Sequence, residues 1–177
     1  MLAAEFVVRL HPKGLQRLVI TNSPAAVALR AKSTNDLLKK FPQPVQDAIA
    51  EGEVKDGQAW RDAMMAFYAR HGCRLQPFPA EVLDTFAYSF GANGDRTVFR
   101  AGLTRDWSIV DRVNQVDVPT LVINGQYDFV QDYVMETYVN GIPGAKWVKF
   151  EESSHMPFWE EREKYMEVVR GFLDECK

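Results

Sequence analysis

The chain has 177 residues, 46% of them hydrophobic, and a formal net charge of −3, which allows one globular domain with a real core. The acidic balance, with Lys and Arg scattered and no basic stripe, excludes a nucleic-acid surface. Cys73 and Cys176 have neither metal-ligand spacing nor the density of a disulfide framework, which points to a reducing compartment.

Residues 2–10 read as a helix buried on more than one side, stopped by Pro12 and Gly14. The run is too short for a membrane span, and Glu5 and Arg9 interrupt it where a signal peptide would be smooth, so the expected location is cytoplasmic with no membrane partner. Leu15 to Asn22 reads as a strand centred on Leu18-Val-Ile-Thr. From Pro24 to about Arg105 the pattern becomes helical, broken at Pro42, Pro44, Gly52, Gly57, Gly72 and Pro77 among others. Ala59 to Arg70 is the clearest amphipathic helix, with Trp60, Met64, Phe67 and Tyr68 on one face, and Asp84 to Phe90 is a shorter one. Val118–Asn124 reads as a strand, Asp132–Tyr138 as the start of a helix and Ala145–Phe150 as another strand. Phe158 to Cys176 reads as a closing helix with Tyr165, Val168, Val169, Phe172 and Cys176 on one face and Glu160, Glu161 and Glu163 in its first turns, where the macrodipole favours acids. Strands alternating with helices imply parallel pairing and an α/β layer architecture.

Two ionisable residues stand where a strand hands its side chain to a loop. Asp128 ends the run Pro119-Thr-Leu-Val-Ile-Asn-Gly-Gln-Tyr-Asp128, and His155 follows Lys146-Trp-Val-Lys-Phe-Glu-Glu-Ser-Ser-His155. In open α/β sheets that rim is where ligands bind. Alone, such an Asp is a turn former or helix cap, and such a His a surface loop residue. His11 before Pro12 and His71 before Gly72 read as structural helix-end residues.

Three segments carry a resemblance: Asp106-Trp-Ser-Ile-Val-Asp-Arg112, Val118-Pro-Thr-Leu-Val-Ile-Asn-Gly-Gln-Tyr-Asp128, and Ser153-Ser-His-Met-Pro-Phe-Trp-Glu-Glu-Arg162. With them, the chain from His11 onward resembles the second half of a proline iminopeptidase-type α/β-hydrolase, a serine peptidase family. The opening Met1-Leu-Ala-Ala-Glu-Phe-Val-Val-Arg-Leu10 is similar to the helix that follows the nucleophile elbow in that family. The implied architecture is a partial α/β-hydrolase fold with about three parallel strands. Residues 1–23 and 106–177 would form the core and residues 24–105 a helical cap. Trp60, Phe67, Phe78, Phe86, Tyr88 and Phe90 are candidates to line the pocket, together with Trp159, although packing cap helices together explains any one of these aromatics.

The resemblance implies acyl transfer. A Ser would attack an amide or ester carbonyl, His155 would take and return its proton, and Asp128 would fix the imidazole tautomer. The order acid then base fits, but no Gly-x-Ser-x-Gly occurs in the sequence, and none of Ser23, Ser33, Ser89, Ser108, Ser153 or Ser154 reads as lying on a strand-to-helix elbow. Removing such a nucleophile lowers turnover on the order of a million-fold, so these residues alone are expected to be inactive. The family's two acids that hold a substrate's free amino terminus align near Thr97 and with Phe129, both uncharged here. Asp95, Asp132 and Glu136 are candidate substitutes. The expected substrate is therefore an amide or ester of a smaller or more apolar molecule, with no cofactor and no metal. Three readings stand open: the C-terminal part of an active serine hydrolase, a non-catalytic relic or interaction module, or half of a two-chain enzyme. An open sheet edge and a buried-type first helix imply self-association or pairing with a missing N-terminal half.

Overall fold

The computed structural model describes residues 1–91, 94–97 and 101–175. Helix α1 (Leu2–Leu10) leads to strand β1 (Leu18–Thr21), followed by α2 (Val27–Leu38), α3 (Gln43–Glu51), α4 (Gly57–His71) and α5 (Ala80–Phe90). A 3-10 turn at Val110–Gln115 precedes β2 (Thr120–Gly125), α6 (Asp132–Gly141), β3 (Lys146–Phe150), α7 (Pro157–Glu160) and α8 (Arg162–Asp174). The three strands form one parallel sheet in the order β1-β2-β3. Leu18 pairs with Thr120 and Leu121 with Lys146, so all three strands run out at one rim.

Every residue of β2 is buried, as expected of a central parallel strand covered on both faces. Side chains alternate across the sheet. Leu121 and Ile123, with Phe150 of β3, meet Phe172, Tyr165, Val168 and Val169 of α8. Ile20 and Val122 face the other way, toward Val7 of α1 and Val134, Met135 and Tyr138 of α6. That second cluster continues into the helical region through Leu37, Phe41 and Phe67, which close over Phe129.

Local chemistry explains the helix limits. Asp56 caps α4 by accepting from the N–H groups of Gln58 and Ala59, and α3 carries Pro44 in its first turn, where its missing N–H is no loss. Helix α1 ends on His11 in the left-handed region at φ 40°.

Three expectations need correction. Helix α1 is buried on one face only: Ala4, Val7 and Val8 are covered, whereas Leu2, Phe6 and Leu10 are 83%, 47% and 65% exposed. The first strand starts at Leu18 rather than Leu15, whose N–H is tied into a turn with the Pro12 carbonyl. The closing helix is two helices, because Glu161 adopts φ −128° and ψ 53° between α7 and α8. Tyr165, Val168, Val169 and Phe172 do share the sheet-facing side of α8, and Cys176 lies outside the described residues.

Candidate functional site

The loop after β2 is pinned to the end of β3 before it reaches Asp128. Gln126 N–H donates to the Phe150 carbonyl at 2.8 Å and Tyr127 N–H to the Ser153 carbonyl at 3.0 Å. Gly125 makes this approach feasible: a Cβ there would lie 2.2 Å from the Ser154 carbonyl oxygen and 2.4 Å from that of Ser153. Asp128 then folds its carboxylate back, Oδ1 accepting from Val130 N–H at 2.8 Å.

His155 presents Nδ1 to the same Asp128 oxygen at 2.8 Å. An ionised carboxylate only accepts, so Nδ1 carries the proton and a neutral ring keeps its lone pair on Nε2. The imidazole stacks on Phe129 with ring centroids 4.0 Å apart, and its side chain remains 27% exposed while that of Asp128 is fully covered. Burial pushes the Asp128 carboxyl above the usual carboxylate range, with the attraction and hydrogen bond of His155 and the Val130 N–H pulling the other way. Oδ2 of Asp128 is buried with no hydrogen-bond partner among the described residues. Such a pair can take a proton at Nε2 from a group placed before it and stabilise the resulting imidazolium.

The supporting frame was not legible in the sequence. Glu160 and Glu161, expected to complement a helix dipole, instead hold the His155 loop. Glu160 accepts from the Ser154 hydroxyl and N–H at 2.7 and 2.9 Å and from Met156 N–H at 3.1 Å. Glu161 accepts from the Ser153 hydroxyl at 2.6 Å and Glu152 N–H at 3.2 Å. Partial desolvation opposes ionisation of Glu161, but the hydrogen bonds from Ser153 and Lys164 hold its carboxyl below the ordinary value. The end of α4 ties both loops together. His71 Nδ1 meets the Tyr127 carbonyl at 2.7 Å, Arg74 N–H donates to Glu160 at 2.8 Å and its guanidinium to the Glu152 carbonyl at 2.7 Å, and that guanidinium lies 3.7 Å over the Tyr127 ring. His71 is thus more than a helix end. Burial lowers its basicity, which the Tyr127 carbonyl partly offsets. From the other side, the Ser33 hydroxyl of α2 donates to the Phe129 carbonyl at 2.6 Å and accepts from Gln131 N–H at 3.1 Å.

These contacts engage the serines structurally. Ser33, Ser153 and Ser154 are fully buried, and among the described residues no hydroxyl bonds the Nε2 of His155. Ser23, between β1 and α2, comes nearest to an elbow in the chain. Its hydroxyl accepts from the Met1 main-chain nitrogen at 2.5 Å, and Pro24 follows it, which removes the N–H that an oxyanion hole would take from the next residue. Neighbouring Asn22 adopts φ 51° and donates its side-chain amide to the His155 carbonyl, so Met1, Ser23 and the His155 loop are neighbours.

A cavity of about 1010 Å³ opens beside the stacked Phe129 and is lined by Met1, Trp60, Phe67 and Tyr88 among others. Of the expected pocket residues, Phe78, Phe86, Thr97 and Trp159 do not line it. Thr97 is exposed, its N–H donating to Asp95. Trp159 packs with Phe78 and Phe86 against Cys73 and Val82, a separate cluster under α5. Asp95 is in the cavity wall, whereas Asp132 bonds Asn124 and Lys149 and Glu136 is exposed on α6. Among the described residues no cluster of His, Cys, Asp and Glu could hold a metal ion, and no helix is long and apolar enough to cross a membrane.

Parallel strands flanked by helices, with an acid after one strand and a histidine after the next, define the C-terminal part of an α/β-hydrolase fold. No protein-family model matches the chain. It is 31% identical over 171 residues to the proline iminopeptidase of Saccharolobus solfataricus, covering 91% of this chain and 55% of that protein. The crystal structure of VinJ matches all of the chain with a TM-score of 0.87 at 30% identity, and the proline iminopeptidase of Mycobacterium smegmatis matches 98% with a TM-score of 0.78 at 32% identity. The chain spans 63% and 61% of those two proteins. It is a homologue of the C-terminal part of the proline iminopeptidases.

Proposed function

We propose that this chain supplies the acid, the base and the substrate cavity of a serine hydrolase that cleaves an amide, peptide or ester bond through an acyl-enzyme. The observation that carries the reading is the 2.8 Å contact between His155 Nδ1 and buried Asp128, with the imidazole left partly exposed. Asp128 is the orienting acid and His155 the general base. Trp60, Phe67, Tyr88 and Phe129 form the substrate wall. Residues 24–105 act as a cap over the core of 1–23 and 106–177. The nucleophile comes from polypeptide outside this sequence. Because Met1 touches Ser23 beside the His155 loop, a residue joined ahead of Met1 would enter at this rim. The exposed Leu2, Phe6 and Leu10 and the edge position of β1 among the described strands favour cover by further polypeptide, whether joined or separate. Buried, unpaired Cys73 suits a cytoplasmic setting.

The test is labelling by a fluorophosphonate probe. The 177-residue chain is expected to remain unlabelled. A longer protein that carries a Gly-x-Ser-x-Gly segment before Met1 should label at that Ser and release arylamine from aminoacyl arylamides. Labelling of the isolated chain at Ser23, Ser153 or Ser154 would place the nucleophile inside it and refute the reading.

A further inference from the structure

The cavity has a charge pattern that the acid–base pair does not use. Helix α2 lines it with two stripes, Arg30-Thr34-Leu38 and Ala31-Asn35, each spaced by one helical turn. Arg30, Asp95, Arg96 and Arg105 are the charged residues of its described wall apart from the Met1 terminus. Arg96 pairs with Glu53 and lies 4.3 Å over the Trp60 ring, and Asp95 accepts from Thr97 N–H at 2.9 Å. Arg30 has no carboxylate or carbonyl partner for its guanidinium among the described residues. Nor do the side chains of Thr34 and Asn35 form a hydrogen bond there. Arg30 is half-buried, whereas Arg105 is exposed, and the Arg30 charge acts on the Tyr68 phenol, favouring an ionisation that burial disfavours. Beyond this polar end the wall becomes apolar at Leu38, Ile49, Met64 and Phe67.

A guanidinium without a carboxylate or carbonyl partner among the described residues, at one end of an apolar trough, matches an amphiphile with an anionic head. We propose that Arg30, assisted by Thr34 and Asn35, binds a carboxylate on the non-scissile part of the substrate, whose apolar body lies along Leu38, Ile49 and Phe67. The inference rests on the cavity being the substrate site of the proposed hydrolase. It specifies the substrate as a carboxylate-bearing apolar amide or ester rather than a neutral one or one held by a free ammonium.

Equilibrium binding to the 177-residue chain tests it without any chemistry, so its failure would leave the Asp128–His155 reading intact. The probes share one apolar body: 6-phenylhexanoate, 6-phenylhexan-1-ol and 6-phenylhexylamine, followed by Trp fluorescence and calorimetry at low salt. The carboxylate should bind about tenfold more tightly than the alcohol and the amine most weakly, with the advantage shrinking as salt rises. Arg30→Gln should abolish the advantage while the alcohol binds unchanged, which confirms an intact fold. Arg30→Lys should retain part of it. The Met1 amino group is common to every variant and cancels. Equal affinity of acid and alcohol for the parent chain would overturn the proposal. So would an advantage that survives Arg30→Gln or disappears only in Arg105→Gln.

Discussion

The two halves of the site are held by different forces. The rim bearing Asp128 and His155 is fixed by directional polar contacts: Tyr127, Asp128, Ser153, Ser154 and Met156 each make at least one hydrogen bond to another loop or to the acids of α7 and its junction with α8. The cavity wall is held by aromatic packing, with Phe67, Tyr68, Phe86, Phe90 and Phe129 in contact at centroid distances between 5.0 and 6.3 Å. Hydrogen bonds are directional and weaken as they bend, whereas ring contacts are tolerant of sliding. Proton transfer needs the first property. A pocket that must be re-cut for different molecules is better served by the second.

Removing Asp128 attacks the polar side most directly. In a protein that includes the nucleophile, Asp128→Asn should lower kcat on the order of ten-thousand-fold with little change in KM, measured by steady-state hydrolysis. Gly125→Ala should act through the main chain, forcing apart the ends of β2 and β3. A loss of about 1–3 kcal/mol is expected, read by urea denaturation. Glu160→Gln leaves the shape but replaces charge-assisted bonds to the Ser154 and Met156 amides, for an expected loss of roughly 1.5–3 kcal/mol at pH 7. An unchanged midpoint would show that this loop stands without its acid. Acid titration separates the same contacts further. Because the folded value of Glu161 lies below its unfolded one, its contribution is present above the ordinary carboxylate range and lost as pH falls through the folded value. Asp128 has the opposite sign: its raised value weakens the fold as pH climbs from the ordinary value to the folded one. Thermal midpoints between pH 6 and 3 should therefore fall less steeply for Glu161→Gln than for the parent. On the packing side, Tyr88→Ala should shift stability by no more than about 0.5 kcal/mol, since the ring is 68% exposed, and should appear only in ligand affinity.

How much of this could be read from the residues follows the same division. The parallel sheet was legible because Leu18-Val-Ile-Thr, Thr120-Leu-Val-Ile and Trp147-Val-Lys-Phe are short β-rich runs bounded by breakers, and the helices α4 and α5 because their aromatics recur at helical spacing. Asp128 and His155 were legible as a pair through their segments. The frame around them was not. Glu160 and Glu161 look like ordinary first-turn acids until the chain turns at Glu161 and sends both carboxylates back to the preceding loop. Arg74 and His71 act across more than fifty residues of sequence, and Ser33 across 96, separations that no local pattern encodes. Phe78, Phe86, Thr97 and Trp159 fall outside the cavity for a related reason: an alignment offset, a helical stripe or an aromatic near the histidine says which residues are close in sequence, while the cavity is cut by α2, α4 and α5 together.

The close approach at Gly125 has a genetic consequence. The atoms that would meet an added methyl there are carbonyl oxygens of Ser153 and Ser154, groups that every residue type carries, so no exchange of side chain at those positions can make room. Second-site suppressors of a Gly125 substitution should therefore be absent from positions 153 and 154. They should arise instead where the main chain can be shifted, at the borders of β3 and in the turn around Glu161.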